Sequence, residues 1–302
     1  MTAGVGLGVV LVNYNARLLT EACVASVNAG RVAPESIIVV DNSTLETEWL
    51  VEDVGPNVVV IRTANHGFGA ACNVGAAALA AKGASMLMVL NNDTTVAPDA
   101  LALLVEALQG HEADVLVPTI LDGHTQRVWY AGGHWNDVFG TAIHHQWGAR
   151  LVDVTTDPVV TFVSGGAFLM RLEQFMELGG FDESLFLYCE DVELSHRIAK
   201  RGLKAGHVAG AVVSHWPGSG SGGDEEGMSP TALFFATRNR LWMLRRGQVR
   251  RWPALLLTPW PVLVETGHVL RRSNGRRSRI NALLRGLISG ALKRCPPIRY
   301  GG

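Results

Sequence analysis

The chain has 302 residues, 48% hydrophobic and 18% charged, with a formal net charge of −1. That is longer than an ordinary single domain, with apolar material for a sizeable core, and it points to one large α/β domain plus an appendage. Four scattered cysteines without a C-x-x-C pair argue against a disulfide framework and a structural zinc site. They favour a reducing compartment.

The start, MTAGVGLGVVLVNYN, carries no base before Arg17, so it lacks the positive segment of a secretory signal, and Leu7–Val12 reads as a first core strand. A helical stretch follows from Ala16 to Ala29. Strands are expected at Ser36–Val40, Val58–Ile61, Met86–Leu90 and Val115–Val117, and helices at Ala70–Ala81 and Pro98–Gln109. Short apolar strands alternating with helices predict a mostly parallel sheet covered on both faces, with ligands bound beyond the strands' carboxyl ends. Asp41 and Asp93 fall at such ends.

From Arg127 to Arg150 a run rich in Trp, Tyr, Gly and His suggests a hairpin excursion. Val159–Phe162 and Ala167–Met170 are expected strands around the Ser164-Gly165-Gly166 turn. Cys189–Arg201 reads as a helix and Lys204–Val213 as a returning strand ending at Ser214-His215. Pro217–Gly227 reads as a Gly/Ser-rich lid, and helical patterns cover Pro230–Arg246, Trp252–Arg272 and Ile280–Arg294. The apolar run Trp252–Val264 contains three prolines and is too short to span a bilayer, which predicts a cytosolic protein.

Four segments carry candidate chemistry. Val39-Val40-Asp41-Asn42-Ser43 puts an acid at a strand end, where it could bind a base or ribose or simply cap a turn. Asn65-His66-Gly67-Phe68-Gly69-Ala70-Ala71-Cys72-Asn73 is a Gly-rich turn entering a small-residue helix, suited to anionic groups. It is not a dinucleotide fingerprint, because Cys72 stands at the third glycine position. Asn91-Asn92-Asp93-Thr94 offers one carboxylate and two amides, apt for a hard cation shared with substrate phosphates or for a capped turn. Gly179–Arg197 is dense in acids and aromatics; Glu190 and Asp191 either complement a helix dipole or supply a general base.

Taken in order, V-N-Y-N, V-V-D-N-S, N-x-G-F-G-A-A-x-N-x-G, L-N-N-D-T and F-D-E-x-x-F-x-Y-x-E-D-x-E-L-x-x-R resemble family 2 glycosyltransferases of the GT-A fold. The likeness is closest to the rhamnosyltransferase-like members that build bacterial surface polysaccharides. It covers about residues 7–216 and extends to Thr237-Arg238-Asn239-Arg240. The resemblance implies a Rossmann-like mixed, mostly parallel sheet flanked by helices, with residues 1–228 as the catalytic domain and 229–302 as a basic helical extension. It implies nucleotide-sugar contacts from Asp41, Asn65, Gly67, Gly69, Asn73, Asn91, Asn92 and Arg238. Asp93 and His215 would be ligands for Mn²⁺ or Mg²⁺, Asp191 the catalytic base, and Glu190 and Trp216 would lie near the acceptor or lid. Asn91 stands where the metal motif's first acid is found in other members.

The activity so implied is inverting transfer from a dTDP- or UDP-linked sugar, rhamnose first, to a hydroxyl of a lipid-linked or polysaccharide acceptor. A same-fold UDP-sugar transferase is the alternative, and a non-catalytic nucleotide-sugar or membrane-binding module lies further off. Charge is strongly segregated: from Arg238 onward 15 bases face one acid, Glu265. That predicts peripheral binding to an anionic inner membrane surface, the alternative being a solvated basic face packed on the catalytic domain, with nucleic acid disfavoured for want of a motif and homo-oligomer formation left open.

Overall fold

A computed structural model describes residues 6–45, 55–136, 141–156, 159–216, 223–224, 227–247 and 275–299. The strands are β1 Leu7–Asn13, β2 Ser36–Asp41, β3 Val58–Arg62, β4 Met86–Asn91, β5 Thr94–Val96, β6 Val115–Asp122, β7 Val128–Tyr130, β8 Gly133–Asn136, β9 Thr141–His144, β10 Ala167–Arg171 and β11 Ala205–His215. Two further short strands are β12 Gly223–Asp224 and β13 Gly227–Met228. The helices are α1 Arg17–Asn28, α2 Phe68–Ala81, α3 Ala100–Gln109, α4 Leu172–Glu177, α5 Glu190–Lys200, α6 Pro230–Arg246 and α7 Arg276–Leu292.

The main sheet runs β3-β2-β1-β4-β10-β6-β11-β5, with β7 beside β6. Neighbours from β3 to β4 are parallel, β10 is antiparallel to both β4 and β6, β11 is parallel to β6, and β5 is antiparallel to β11. β1, β2 and β4 are almost wholly buried, which is why they read as unbroken apolar runs. The helix α2 can lie close to this sheet because its small residues leave room: a Cβ on Gly75 would stand 2.6 Å from Val10 Cγ1.

Two sequence expectations need correction. Val159–Phe162 forms no strand; it makes a single antiparallel bridge, Val160 to Ala205, and otherwise packs Val160, Phe162 and Val163 into the core. The apolar pattern therefore reports burial alone. Conversely, Thr94–Val96 is a strand the pattern did not suggest, and it closes the far edge of the sheet. The Arg127–Arg150 excursion does contain a hairpin, β8 with β9.

α6 is part of the main body: Met243 and Leu244 join the principal core, while Leu233 forms a smaller cluster with Ala282 and Leu283 of α7. The pair packs tightly because Gly286 and Gly290 face α6, where a Cβ would sit 2.8 Å from the Phe234 carbonyl oxygen and from Leu241 Cβ respectively. The expected lid falls mostly outside the described residues, as do the Trp252–Arg272 helix and its basic flanks Arg250, Arg251, Arg271 and Arg272. No helix among the described residues is long and apolar enough to cross a membrane.

Candidate active site

The carboxyl ends of β1, β2 and β4 open into a cavity of about 500 Å³. Its polar wall comes from Asn42, Asn65, Asn91 and Asn92, and its apolar wall from Tyr14, Phe68, Phe186 and Phe235. The N-terminus of α2 also faces it, through Gly67 and Phe68, so the helix dipole favours an anion there. Phe186 and Phe235 stack with ring centroids 4.8 Å apart, a flat apolar surface beside the polar wall.

Beneath the cavity a chain of buried side chains ties the strand ends together. Asn92 Nδ2 donates to Thr20 Oγ1 at 2.9 Å, and Thr20 Oγ1 donates to Asn13 Oδ1 at 2.9 Å. Asn13 Nδ2 donates to Asp41 Oδ1 at 2.9 Å and to Ser43 Oγ at 3.0 Å. Asp41 is fully buried and also accepts from Ser43 Oγ at 2.5 Å, so it underpins the floor while its neighbour Asn42 lines the cavity.

Asn65 accepts from Gly67 N–H at 3.0 Å and shapes the turn into α2. Gly67 has φ +100°, and a Cβ there would lie 2.0 Å from the Phe186 carbonyl oxygen, so only glycine fits. Gly69 abuts Phe181, whose Cβ a side chain would meet at 2.8 Å. Asn73 spends its amide inside the protein: Oδ1 accepts from Phe181 N–H at 2.8 Å and Nδ2 donates to Phe181 O and Glu183 Oε1. It fastens α2 to the Phe181–Glu183 segment and does not line the cavity.

The register of β5 against β11 pairs His215 with Thr94, which brings the His215 imidazole Nε2 to 3.1 Å from Asp93 Oδ1. Both side chains are largely buried, and His215 Nδ1 is a buried nitrogen without a hydrogen-bond partner. A carboxylate and an imidazole at this spacing are two donors that one cation could share. Among the described residues no group of three or more His, Cys, Asp or Glu is placed to hold a metal, so a cation here would take its other ligands from substrate oxygens and water.

Asp191 lies in the first turn of α5, where it accepts from Gly165 N–H at 3.2 Å and from Val192 N–H at 2.8 Å. Gly166, the next residue in that turn, accepts from Asn91 N–H at 2.9 Å, so two backbone steps separate Asp191 from the cavity's polar wall. Burial holds the Asp191 carboxyl above its ordinary pKa. Burial, aided by the Asp191 charge, lifts Glu190 to about 8, and Glu190 Oε2 has no hydrogen-bond partner. Tyr188 is pushed up to about 12 by burial and then by the charges of Glu190, Asp191 and Asp93.

The segment leading to these acids is strained. Phe186, Tyr188 and Cys189 have φ of 67°, 66° and 70°, conformations that side chains other than glycine seldom adopt. Asn239 of α6 holds the segment: it is fully buried, and its Nδ2 points at the carbonyls of Leu185, Leu187 and Tyr188 at 2.8, 2.9 and 2.7 Å. Arg238, expected at the nucleotide, donates instead to Leu185 O at 2.8 Å and lies over the Trp242 and Phe235 rings, 4.1 and 4.6 Å from their centroids. Sequence reasoning took the Arg of this R-N-R triplet and missed the Asn.

Other acids of the Phe181–Arg197 motif are scaffolding. Asp182 pairs with Arg246 at 2.6 Å, and Glu193 pairs with Arg197, which also donates to the Leu178 and Gly180 carbonyls. Trp216 packs its indole over Gly123 and against His124, and donates to Thr95 Oγ1 at 3.3 Å.

A family model described as "Glycosyl transferase family 2" matches residues 8–179. The chain is 29% identical to an N-acetylglucosaminyl-diphospho-decaprenol L-rhamnosyltransferase of Mycobacterium tuberculosis over 304 aligned residues, covering 90% of this chain and 95% of that protein. Among solved structures, S. aureus TarS residues 1–349 in complex with UDP superposes with a TM-score of 0.56 at 16% identity, covering 96% of this chain and 82% of that one. GalNAc-T7 with UDP, GalNAc and Mn²⁺ superposes at 0.57 and 22% identity, covering 77% of this chain and 47% of that chain. At these identities the two structures speak for the fold alone.

Proposed function

The chain belongs to glycosyl transferase family 2, and on that footing we propose that it is an inverting rhamnosyltransferase, moving rhamnose from dTDP-rhamnose to a hydroxyl of a lipid-linked saccharide. The observation that carries this reading is the meeting of three things at one sheet edge: the anion-favouring cavity, the Asp93–His215 pair and the buried acid Asp191. The choice of rhamnose and of a lipid-linked acceptor is supported by the likeness to the mycobacterial rhamnosyltransferase along nearly the full length of both chains.

In this reading the base stacks among Tyr14, Phe68 and the Phe186–Phe235 pair, while Asn42, Asn65 and Asn92 offer hydrogen bonds to base and ribose. The diphosphate lies against the start of α2, where the helix dipole favours it. Asp93 and His215 would hold Mn²⁺ or Mg²⁺, and that ion would supply positive charge to offset what develops on the leaving phosphate. Asp191 accepts the proton of the acceptor hydroxyl as it attacks the anomeric carbon from the face opposite the leaving group. A single displacement inverts that carbon and calls for one catalytic carboxylate, not the flanking pair of a glycosidase. Burial raises the pKa of Asp191, which makes its carboxylate a stronger base than one in open water.

The protein works, we infer, at the cytoplasmic face of the membrane. On α7, Leu284, Ile288 and Leu292 lie one helical turn apart and are 53%, 56% and 79% exposed. Arg276, Arg277, Arg285, Lys293 and Arg294 are exposed around them, and α7 contains no acid. An apolar stripe in a basic surround is the pattern of a helix lying among anionic headgroups.

The test is nucleoside-diphosphate release across a panel of dTDP- and UDP-linked sugars, with a diphosphate-lipid-linked saccharide as acceptor and with Mn²⁺ or Mg²⁺ added. Selective turnover of dTDP-rhamnose is the expected result. Preference for a UDP-sugar would overturn the donor, and silence across the panel would overturn the reading. Asp191→Asn is expected to keep donor affinity while losing transfer.

A further inference from the structure

A further cluster of rings leads away from His215. Trp129, at the middle of β7, has its ring centroid 5.4 Å from that of His215, the residue paired with Asp93. His144, at the end of β9, meets the edge of Trp129 at 4.5 Å and lies 6.0 Å from Trp147 in the turn that follows. The four rings thus form a continuous row from the Asp93 carboxylate outward, and Trp147 at its outer end is 65% exposed.

This row is built, not incidental. His144 Nδ1 is within 3.0 Å of the Trp129 carbonyl oxygen, and its ring stacks on Phe162 at 5.8 Å with an interplanar angle of 15°. Burial lowers the pKa of His144 and so favours its neutral form. The outer turn is held by two hydrogen bonds between Gln146 and Thr155, and by Gly148 N–H donating to Val128 O at 2.8 Å. Trp147 thus presents a largely exposed indole at the end of a fixed row of rings.

We propose that this row, with Trp147 as its outer platform and Trp129 as its inner one, is the acceptor subsite, and that it binds a pyranose ring by its apolar face. One face of a pyranose presents C–H groups, which pack flat on an indole while the hydroxyls stay in water. A saccharide on Trp147 and Trp129 is led along the row toward the Asp93–His215 pair. The row therefore selects the acceptor, and the Phe186–Phe235 surface the donor. This inference rests on the transferase reading and names the part of the protein that recognises its second substrate.

The experiment is steady-state kinetics with a water-soluble acceptor, a monosaccharide joined through a diphosphate to a short alkyl chain, varied at saturating donor and then at the reverse. Trp147→Ala is expected to raise the acceptor KM about tenfold, the loss of one aromatic platform, with the donor KM unchanged within about twofold. Trp147→Tyr is expected to recover most of the acceptor affinity, because it restores a ring of similar reach. An acceptor KM in Trp147→Ala within about twofold of the wild type would overturn the assignment. So would a variant whose only defect is weaker binding to lipid vesicles, which would make Trp147 a membrane contact. A wild-type protein that turns over no sugar nucleotide with any acceptor would instead defeat the transferase reading beneath it. The exposure of Trp147 leaves the core intact in both variants, and matching thermal unfolding curves verify this.

Discussion

Asn239 offers the sharpest test of how the site is held. Its amide addresses three carbonyls within 2.9 Å in a segment where three of four residues have positive φ. Asn239→Ala leaves Leu185 O with Arg238, but strips the Leu187 and Tyr188 carbonyls of their side-chain partner. Each buried carbonyl left unpaired costs about 1–3 kcal/mol, so the variant should lose roughly 2–4 kcal/mol of stability, part of it recovered as the strained segment relaxes. Asn239→Asp should be at least as damaging, because it sets a carboxylate against three acceptors. Urea unfolding reads the first effect, and kcat at saturating donor and acceptor reads the second, since Tyr188, Glu190 and Asp191 follow directly in the chain. A loss below about 0.5 kcal/mol in both variants, with kcat intact, would refute the claim that α6 holds the segment.

Three further outcomes can be stated. Glu190 is lifted to about 8, so its folded form holds a proton that the unfolded chain gives up, and stability is lost as pH rises from the ordinary carboxylate range through that value. Glu190→Gln should gain on the wild type in unfolding free energy between about pH 5 and about pH 9, and a constant difference would contradict this. After chelation and readdition of Mn²⁺ or Mg²⁺, Asp93→Asn and His215→Ala should each need about 10–100 times more metal for half-maximal turnover; unchanged activation curves would remove the pair from the metal site. Leu284→Glu with Ile288→Glu should weaken sedimentation with anionic vesicles at least tenfold, since each side chain forfeits about 1.5 kcal/mol or more of burial, and unaltered binding would dismiss the stripe.

The central strands were legible because both faces of β1, β2 and β4 are covered, and such strands write themselves as unbroken Val, Ile and Leu runs. β5 was not, since three residues are too few for a periodic signal and its place depends on pairing with a strand over a hundred positions away. Val159–Phe162 misled for the opposite reason, having the composition of a strand without a ladder to join. In the site, the motif acids Asp93 and Asp191 stood out, but not what separates a substrate contact from a brace. Asn73 and Asp41 turn their polar atoms inward, and Arg238 is taken up by Leu185 and the rings of Phe235 and Trp242. The aromatic walls come from the residue just after β1, from α2, from the strained segment and from α6, elements whose meeting no local pattern encodes.

The buried bond between Arg246 and Asp182 makes the two halves of the chain poor candidates for exchange. Arg246 also donates to Ser184 Oγ and Pro296 O, and Asp182 accepts from Arg299 N–H. A chimera that grafted residues 229–302 of a relative onto this front part would strand Asp182 without its cation unless the graft supplied one at the same spot, a defect on the order of 3–5 kcal/mol. Shuffling between such proteins should therefore succeed only when both sides of that joint travel together.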